Sequence, residues 1–254
     1  MGYDKAYKVL AKQEGISNSK AKELIDKGLV RAAGKKVLIA RGEIDEETVF
    51  SVKEIASIKM IFQDDDGLLD LDMPTMKGSF QIQNAAVALK AIKATGVKLD
   101  NQKISKGIKS MQLEARIQHI TKGKLLTYIH EDSNTLIIDG GHNEQAGKSL
   151  SEYLEKIKGK RSIYLVFSML TSKDLTAYLK NFSSLITEMK CFKLRENFYE
   201  TKDIIKQAKD LGIHANANNS ATEAIAQLAI QDPNGIIVVC GSLYSAGKVL
   251  EQNI

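Results

Sequence analysis

Apolar and polar positions alternate in two regular ways along the second half of the chain. Short apolar runs bounded by turn residues predict buried strands, and apolar positions three and four residues apart predict helices packed on a sheet. The predicted strands are Ile117–Ile120, Leu125–His130, Thr135–Ile138, Ser162–Phe167, Glu188–Leu194, Ile213–Ala215 and Ile236–Cys240. The predicted helices are Glu144–Lys156, Lys173–Asn181, Thr201–Leu211, Ala221–Ile230 and Ser245–Gln252. This alternation predicts an α/β fold with a Rossmann-like, mostly parallel sheet that carries helices on both faces.

The beginning of the chain follows a different pattern, typical of a small α+β domain. A helix that starts near Ser17 is expected to end at Gly28, because glycine tolerates the left-handed conformation of a helix end. Two short apolar runs around a turn at Gly34–Lys36 predict a strand pair. We therefore divide the chain into an α+β domain at residues 1–66, a linker with one helix at residues 67–115, and the α/β domain at residues 116–254.

The composition is that of an ordinary soluble protein, with 43% hydrophobic and 26% charged residues among 254. No apolar run approaches the ~18 residues that cross a bilayer, and the charged start resembles no signal peptide. We therefore expect a cytoplasmic protein without a membrane partner. Cys191 and Cys240 are isolated within apolar segments, which favours core thiols over a metal site or redox pair.

Positive charge is concentrated near the start of the chain. Between Lys5 and Lys36 there are nine basic residues and three acidic ones. Such an excess can attract a polyanion such as RNA. The same charges also fit a solvated helix face, and charge alone leaves both interpretations open.

The segment SNSKAKELIDKGLVRAAGKKV, Ser17 to Val37, resembles the alpha-L RNA-binding domain, named after ribosomal small-subunit protein four. The most similar form precedes the catalytic domain of bacterial large-subunit pseudouridine synthases. The resemblance implies RNA phosphate contacts by Lys5, Lys20, Lys22, Lys27, Arg31, Lys35 and Lys36. Phosphate contacts position RNA without reading its sequence, so we expect low specificity and strong salt dependence. Tyr3 and Asn18 stand where the family carries basic residues, which should weaken the affinity.

The segment IKMIFQDDD, Ile58 to Asp66, also resembles the lead-in to the pseudouridine synthase catalytic domain. No segment that resembles the catalytic aspartate motif of that family follows it, so pseudouridine chemistry is not predicted. The acidic run Asp64–Asp66 is predicted to be a solvated loop and not a metal site, because adjacent side chains point in different directions.

A second resemblance begins after residue 67. MKGSFQIQNAAVALKAI, Met76 to Ile92, is similar to the segment that closes the central ATPase domain of folylpolyglutamate and dihydrofolate synthases, in the Mur ligase superfamily. Asn84 matches the family asparagine that lies against the nucleotide, and Phe80 replaces the commoner histidine. Without the resemblance, Asn84 would be interpreted as a helix-capping residue.

Four further segments resemble the C-terminal domain of these ligases, in the family's order. They are EARIQ (Glu114–Gln118), IIDGGHN (Ile137–Asn143), VFSMLTSKD (Val166–Asp174) and GSLYSAG (Gly241–Gly247). The resemblance implies a Rossmann-like domain of the Mur ligase C-terminal type. Ordered matches over this length are far more specific than any single motif.

The resemblance also implies roles for individual residues. Arg116 would reach an ATP phosphate, while Asp139 and His142, the implied catalytic residues, would border the nucleotide and the incoming acyl phosphate. Taken alone, Arg116 also fits a surface ion pair, Asp139 a helix cap and His142 a loop imidazole with its hydrogen bonds satisfied.

Two nearby features have simpler interpretations. Lys173 and Asp174 fit a helix N-terminus with a capping acid at least as well as a ligand site. Lys148 fits an exposed helix position, because a phosphate loop of the GxxxxGK[ST] type would need glycine where His142 stands.

By resemblance, ATP with magnesium activates a folate or pteroate carboxylate, and the amine of glutamate then displaces the phosphate. The phosphate loop and magnesium ligands of that family lie in the central domain, and we identify only its last helix here. We therefore expect a ligase C-terminal domain, joined to an RNA-binding domain, that is inactive alone. Two alternatives stay open: an RNA-binding protein with a ligase-like scaffold or nucleotide sensor, and complementation by a separate ATPase-domain chain that docks near Arg116 and His142.

Overall fold

The computed structural model describes residues 2–15, 17–26, 29–32, 35–37, 39–52, 59–98, 100–130 and 133–254. The chain divides into two compact units, Met1–Ile58 and Lys59–Ile254. Lys27, the predicted helix end at Gly28 and the turn residue Gly34 lie outside the described residues. The same holds for the side chains of Lys20 and Lys36.

The first unit is a small α+β structure. Its elements are β1 (Tyr3–Lys5), α1 (Ala6–Glu14), α2 (Asn18–Asp26), β2 (Val30–Ala32), β3 (Lys35–Lys36), β4 (Glu43–Asp45) and β5 (Phe50–Val52). Strand β1 pairs with β4, and β2 pairs with β3 and β5, all antiparallel. The helices bury Leu10, Ala21 and Ile25 against Val30 and Phe50. The predicted strand pair is present, but it lies closer to the turn than the apolar runs indicated.

The second unit opens with a hairpin, β6 (Lys59–Asp64) and β7 (Gly67–Asp72), followed by α3 (Phe80–Ala94) and α4 (Asn101–Ser110). Residues 59–64, which we assigned to the first domain from sequence, therefore pair with the following strand. The prediction of a solvated loop was wrong for Asp64. Its side chain is 7% exposed and forms an ion pair with Lys93 at 2.7 Å. The hairpin turn consists of Asp65 and Asp66.

The main sheet has six strands. They are β8 (Gln118–His119), β9 (Thr135–Ile138), β10 (Ile163–Phe167), β11 (Glu188–Cys191), β12 (Ala215–Ala217) and β13 (Ile236–Cys240). The spatial order is β12-β11-β10-β13-β9-β8, and every pairing is parallel except that of β8 with β9. This arrangement confirms the predicted mostly parallel sheet. All five residues of β10 and of β13 are buried, as expected for strands that are covered on both faces.

Helices cover both faces of this sheet. They are α5 (Glu144–Lys158), α6 (Leu175–Leu179), α7 (Thr201–Asp210), α8 (Ala221–Gln231) and α9 (Leu243–Glu251). Strand side chains alternate between the faces, so that Leu165 of β10 packs with α5, α6 and α7, whereas Val166 packs with α8 and α9. None of the described helices is long and apolar enough to cross a membrane.

One predicted strand is wrong. Residues 125–130 contain a 3₁₀ helix, Lys124–Tyr128, in place of a strand. The side chain of Asn253 accepts the Leu125 backbone N–H at 2.9 Å, and its backbone carbonyl accepts that of Lys124 at 3.4 Å. Leu125 itself is fully buried. Leu125 thus contributes to the core without joining the sheet, and the backbone at the start of this run bonds the C-terminal segment instead.

Other predictions were shifted by two or three residues: the helix predicted from Ser245 begins at Leu243, and the strand predicted to end at Leu194 ends at Cys191. The strand predicted at Ile213–Ala215 begins at Ala215, and the helix predicted from Lys173 begins at Leu175. After Leu179 that helix continues as a 3₁₀ turn, Lys180–Phe182.

Candidate functional site

The candidate site lies in the second unit, at the edge of the sheet where β9 ends and α5 begins. The loop Asp139–Asn143 joins them, and the side chain of Asn143 caps α5 by accepting the Ala146 N–H at 2.9 Å. Parallel strand ends and helix N-termini meet at this edge. The free N–H groups and positive dipole end of a helix favour phosphate or carboxylate groups there.

Glycine in the loop allows close packing on both sides. A Cβ atom at Gly140 would lie 3.1 Å from the Cα of Leu243, at the start of α9. A Cβ atom at Gly141 would lie 2.7 Å from the Cβ of Ala146. The loop therefore rests directly against the beginnings of α5 and α9, and larger residues would push these helices away.

The carboxylate of Asp139 is buried, with 5% of the residue exposed. Its Oδ1 accepts the Gly141 N–H at 2.8 Å, and its Oδ2 accepts the Ile117 N–H at 3.0 Å. Burial raises the pKa of Asp139 above its usual value, although both backbone hydrogen bonds favour the charged form. Asn143 caps α5, so the helix-cap interpretation of Asp139 was wrong.

Arg116 lies on a tight loop that crosses the edge of the sheet. Its neighbours Ala115 and Ile117 have φ values of 53° and 48°, in the left-handed region. The guanidinium of Arg116 donates from Nη1 to the carbonyl of Ala115 at 3.0 Å. No ion pair involves Arg116 within the described part of the chain, so the structure gives no support to the surface ion-pair interpretation.

A cavity of about 310 Å³ brings together the four residues that the ligase resemblance selected: Asn84, Arg116, Asp139 and His142. Asn84 comes from helix α3, Arg116 from the loop with left-handed residues, and Asp139 and His142 from the loop after β9. Phe80, Gln145 and Ser149 also line the cavity. A ligand here would meet a guanidinium, an imidazole and the N-terminus of α5 together.

The polar groups at the rim are held by short-range contacts. His142 Nδ1 lies 3.1 Å from the carbonyl oxygen of Gly140, which confirms a partner for this loop imidazole. Asn84 donates from Nδ2 to Gln81 Oε1 at 3.0 Å. Since α3 begins at Phe80, Asn84 stands one turn inside the helix, and the alternative that it caps the helix was wrong.

Sequence reasoning missed Gln118 as part of this site. Its Oε1 accepts the Ala115 N–H at 2.9 Å, which ties the Arg116 loop to strand β8. The residue was visible as the last position of EARIQ. No pattern in the sequence indicated the left-handed backbone around Arg116.

The simpler interpretations of the other candidate side chains are confirmed. Asp174 caps α6 by accepting the Ala177 N–H at 2.9 Å, and Lys148 is exposed on α5. Burial raises the pKa of Cys191 to about 11 and that of Cys240 further, so both are unreactive core thiols. Among the described residues there is no cluster of three or more side chains that could hold a metal ion.

The candidate RNA contacts belong to the first unit. Lys5 forms an exposed ion pair with Glu43 at 3.0 Å, and the ammonium of Lys22 lies 4.2 Å from the ring centroid of Tyr7. Arg31 and Lys35 are exposed on the paired strands β2 and β3.

Comparison with known proteins relates the two units to different relatives. Residues 121–252 match the family described as dihydrofolate synthetase, C-terminal domain. The chain is 28% identical over 181 residues to a dihydrofolate synthase/folylpolyglutamate synthase of Haemophilus influenzae, which covers 66% of this chain and 41% of that protein. The N-terminal region is 44% identical over 79 residues to an uncharacterized RNA pseudouridine synthase of Helicobacter pylori, which covers 31% of this chain and 32% of that protein.

Solved structures show the same fold for the second unit. E. coli FolC in complex with DHPP and ADP superposes with a TM-score of 0.62 at 24% identity, over 78% of this chain and 44% of that one. A bifunctional folylpolyglutamate synthase/dihydrofolate synthase with Mn, AMPPNP and L-glutamate bound gives 0.59 at 22% identity, over 74% and 43%. The chain therefore spans less than half the length of these relatives.

Proposed function

Because the chain belongs to the family of dihydrofolate synthetase C-terminal domains, we propose that its second unit is the nucleotide-facing half of a ligase that joins glutamate to a folate or pteroate carboxylate. The observation that carries this proposal is the cavity in which Asn84, Arg116 and His142 meet at the N-terminus of α5. The bound ADP and AMPPNP of the two structural relatives are consistent with it.

The residues of the cavity fit a polyphosphate. Arg116 supplies a permanently charged planar donor, and the N-terminus of α5 supplies backbone N–H groups and a positive dipole end. Asn84 would lie against the nucleotide, and His142 would border both the phosphates and the acyl group. Magnesium would reach the site with the nucleotide, since the described residues offer no metal-binding cluster of their own.

These residues hold only one side of a nucleotide. Phosphoryl transfer depends on positioning the phosphates and neutralising their charge. No GxxxxGK[ST] segment occurs within the 254 residues. We therefore expect weak nucleotide binding by this polypeptide alone, and no glutamate-dependent release of phosphate from ATP.

Calorimetry with ADP tests the proposed binding. Arg116→Met should weaken ADP binding at least tenfold, because a charge-assisted contact contributes roughly 1.5–3 kcal/mol. Lys148→Met removes an exposed charge from the same helix terminus region without removing a cavity residue, and it should change the affinity little. Equal affinities for wild type and Arg116→Met would contradict the proposal.

We propose further that catalysis needs an ATPase domain, which these 254 residues do not include and which a separate chain can supply. Large apolar side chains are exposed in the hairpin and α3, namely Ile61 at 67%, Leu68 at 60% and Val87 at 70%. Ile61 and Leu68 share the face of the hairpin opposite to the buried Met60, Phe62 and Leu71, and we propose that such a chain covers this face. Mixing the two purified chains should produce glutamate-dependent phosphate release that neither gives alone, and activity of this chain by itself would overturn the requirement.

A second candidate function is RNA binding by the first unit, and the similarity to the Helicobacter pylori protein favours it. Filter binding to structured RNA over a salt series should show an affinity that falls steeply as salt rises. Lys35→Gln should weaken binding at every RNA sequence and reduce the salt slope by about 1. Lys248→Gln, the same charge loss in the second unit, serves as the control, and no affinity at low salt would exclude this function.

A further inference from the structure

The backbone on either side of Arg116 is strained. Ala115 and Ile117 both adopt positive φ values, which L-residues avoid and β-branched residues avoid most. Neither residue can relax by moving outward, since each is only 1% exposed. Ile117 packs into the core on one face of the sheet and Ala115 into the core on the other. Arg116 is thus held at the rim between them.

Strained backbone of this kind persists only when its surroundings fix it. Here the side chains of Gln118 and Asp139 each accept a backbone N–H from one strained residue. Gln118 Oε1 binds the Ala115 N–H at 2.9 Å, and Asp139 Oδ2 binds the Ile117 N–H at 3.0 Å. The Gly140 N–H also donates to the Ala115 carbonyl at 2.8 Å. We call the two side-chain bonds, from Gln118 and Asp139, the loop clasp.

The clasp fixes the starting point of the Arg116 side chain. Arg116 is half-buried, in contrast to its two buried neighbours, and it lines the cavity at the N-terminus of α5. Both carboxylate oxygens of Asp139 are already bonded to backbone N–H groups. A ligand in the cavity can therefore contact the guanidinium of Arg116, whereas the carboxylate of Asp139 bonds the backbone of the loop.

We propose that Gln118 and Asp139 are positioning residues, which hold the strained backbone of residues 115–117 and so direct Arg116 toward the phosphates of a bound nucleotide. This inference rests on the proposed function of the cavity. It assigns Gln118 a role through Arg116, and it makes Asp139 a support of the loop in addition to the role that the ligase resemblance implies.

A double-mutant cycle tests the clasp, with ADP as the probe and the full chain as the protein. Gln118→Met keeps the size of the side chain and removes the acceptor for the Ala115 N–H. It should weaken ADP binding about tenfold in the wild-type background and have no further effect once Arg116 is Met, because it acts only through the guanidinium. Equal losses in both backgrounds would overturn the proposal. Gln112→Met, at an exposed position of the same segment, should leave ADP affinity unchanged.

Hydrogen exchange of the free protein separates this inference from the proposed function. Gln118→Met should increase the exchange of the Ala115 amide at least tenfold, while amides of β10 keep their protection. If the wild type binds no ADP but Gln118→Met still speeds exchange of the Ala115 amide, the proposed nucleotide function is wrong, whereas the loop clasp is present as a structural feature. Unchanged Ala115 protection in a folded Gln118→Met protein would overturn the clasp itself.

Discussion

Gly241 and Gly247 stand in one motif, yet their replacement by alanine should have opposite effects on stability. Gly241 follows β13 with a φ of +97°. A Cβ atom there would lie 2.5 Å from Cε2 of Phe167 and 2.8 Å from the carbonyl oxygen of Ser168. Gly247 lies within α9, and a Cβ atom on it would meet nothing within 4 Å.

The magnitudes follow from these surroundings. Gly241→Ala combines an unfavourable backbone conformation, about 1–3 kcal/mol, with overpacking of a buried site, about 1–3 kcal/mol. We therefore expect a loss of roughly 2–6 kcal/mol in the free energy of unfolding. Gly247→Ala replaces glycine inside a helix and should add about 0.5–1 kcal/mol. Gly241→Ala should also weaken ADP binding, because Gly241 leads into the start of α9, which packs on Gly140.

Urea unfolding followed by far-UV circular dichroism measures both effects, and the absence of tryptophan makes this a better probe than fluorescence. The transition to compare is that of the larger unit, Lys59–Ile254. Midpoints should move in opposite directions at similar slopes. If both variants shifted the midpoint in the same direction, the reasoning from the positive φ and the close contacts at Gly241 would be refuted.

Three other predictions concern the same unit. Burial lowers the pKa of His119 below 6.5, so the stability that its neutral form contributes is present above pH 6.5 and is lost as the pH falls through the lowered pKa. Urea unfolding between about pH 7 and 5 should therefore show a smaller loss of unfolding free energy for His119→Gln than for the wild type. Burial opposes ionisation of Glu188, but hydrogen bonds led by that from Gln231 lower its pKa below 4.5. When the unfolding free energy is measured as the pH falls below about 4.5, Glu188→Gln should lose less stability than the wild type. Gly140→Ala should weaken ADP binding at least tenfold by calorimetry, because the added methyl group would press on Leu243; an unchanged affinity would mean that α9 yields without cost.

The sequence alone determined the mostly parallel sheet of the second unit and the positions of its main motifs. Strands β9, β10 and β13 contain unbroken apolar runs of three or five residues, and the structure buries all of these residues, as parallel strands require. The order of the motifs identified the ligase family, because ordered matches multiply in specificity. Local composition suffices for such features, since burial and helix formation depend on residues close together in the chain.

The tertiary structure alone decided how the site is held. The backbone N–H of Leu125 bonds the side chain of Asn253, 128 residues away, and not a strand of the sheet. The carboxylate of Asp139 reaches back over 22 residues to Ile117 and stabilises a backbone that an isoleucine would not adopt on its own. These contacts join segments that are distant in the sequence, and their partners are specified by packing of the whole unit. No local pattern of apolar and polar positions carries that information.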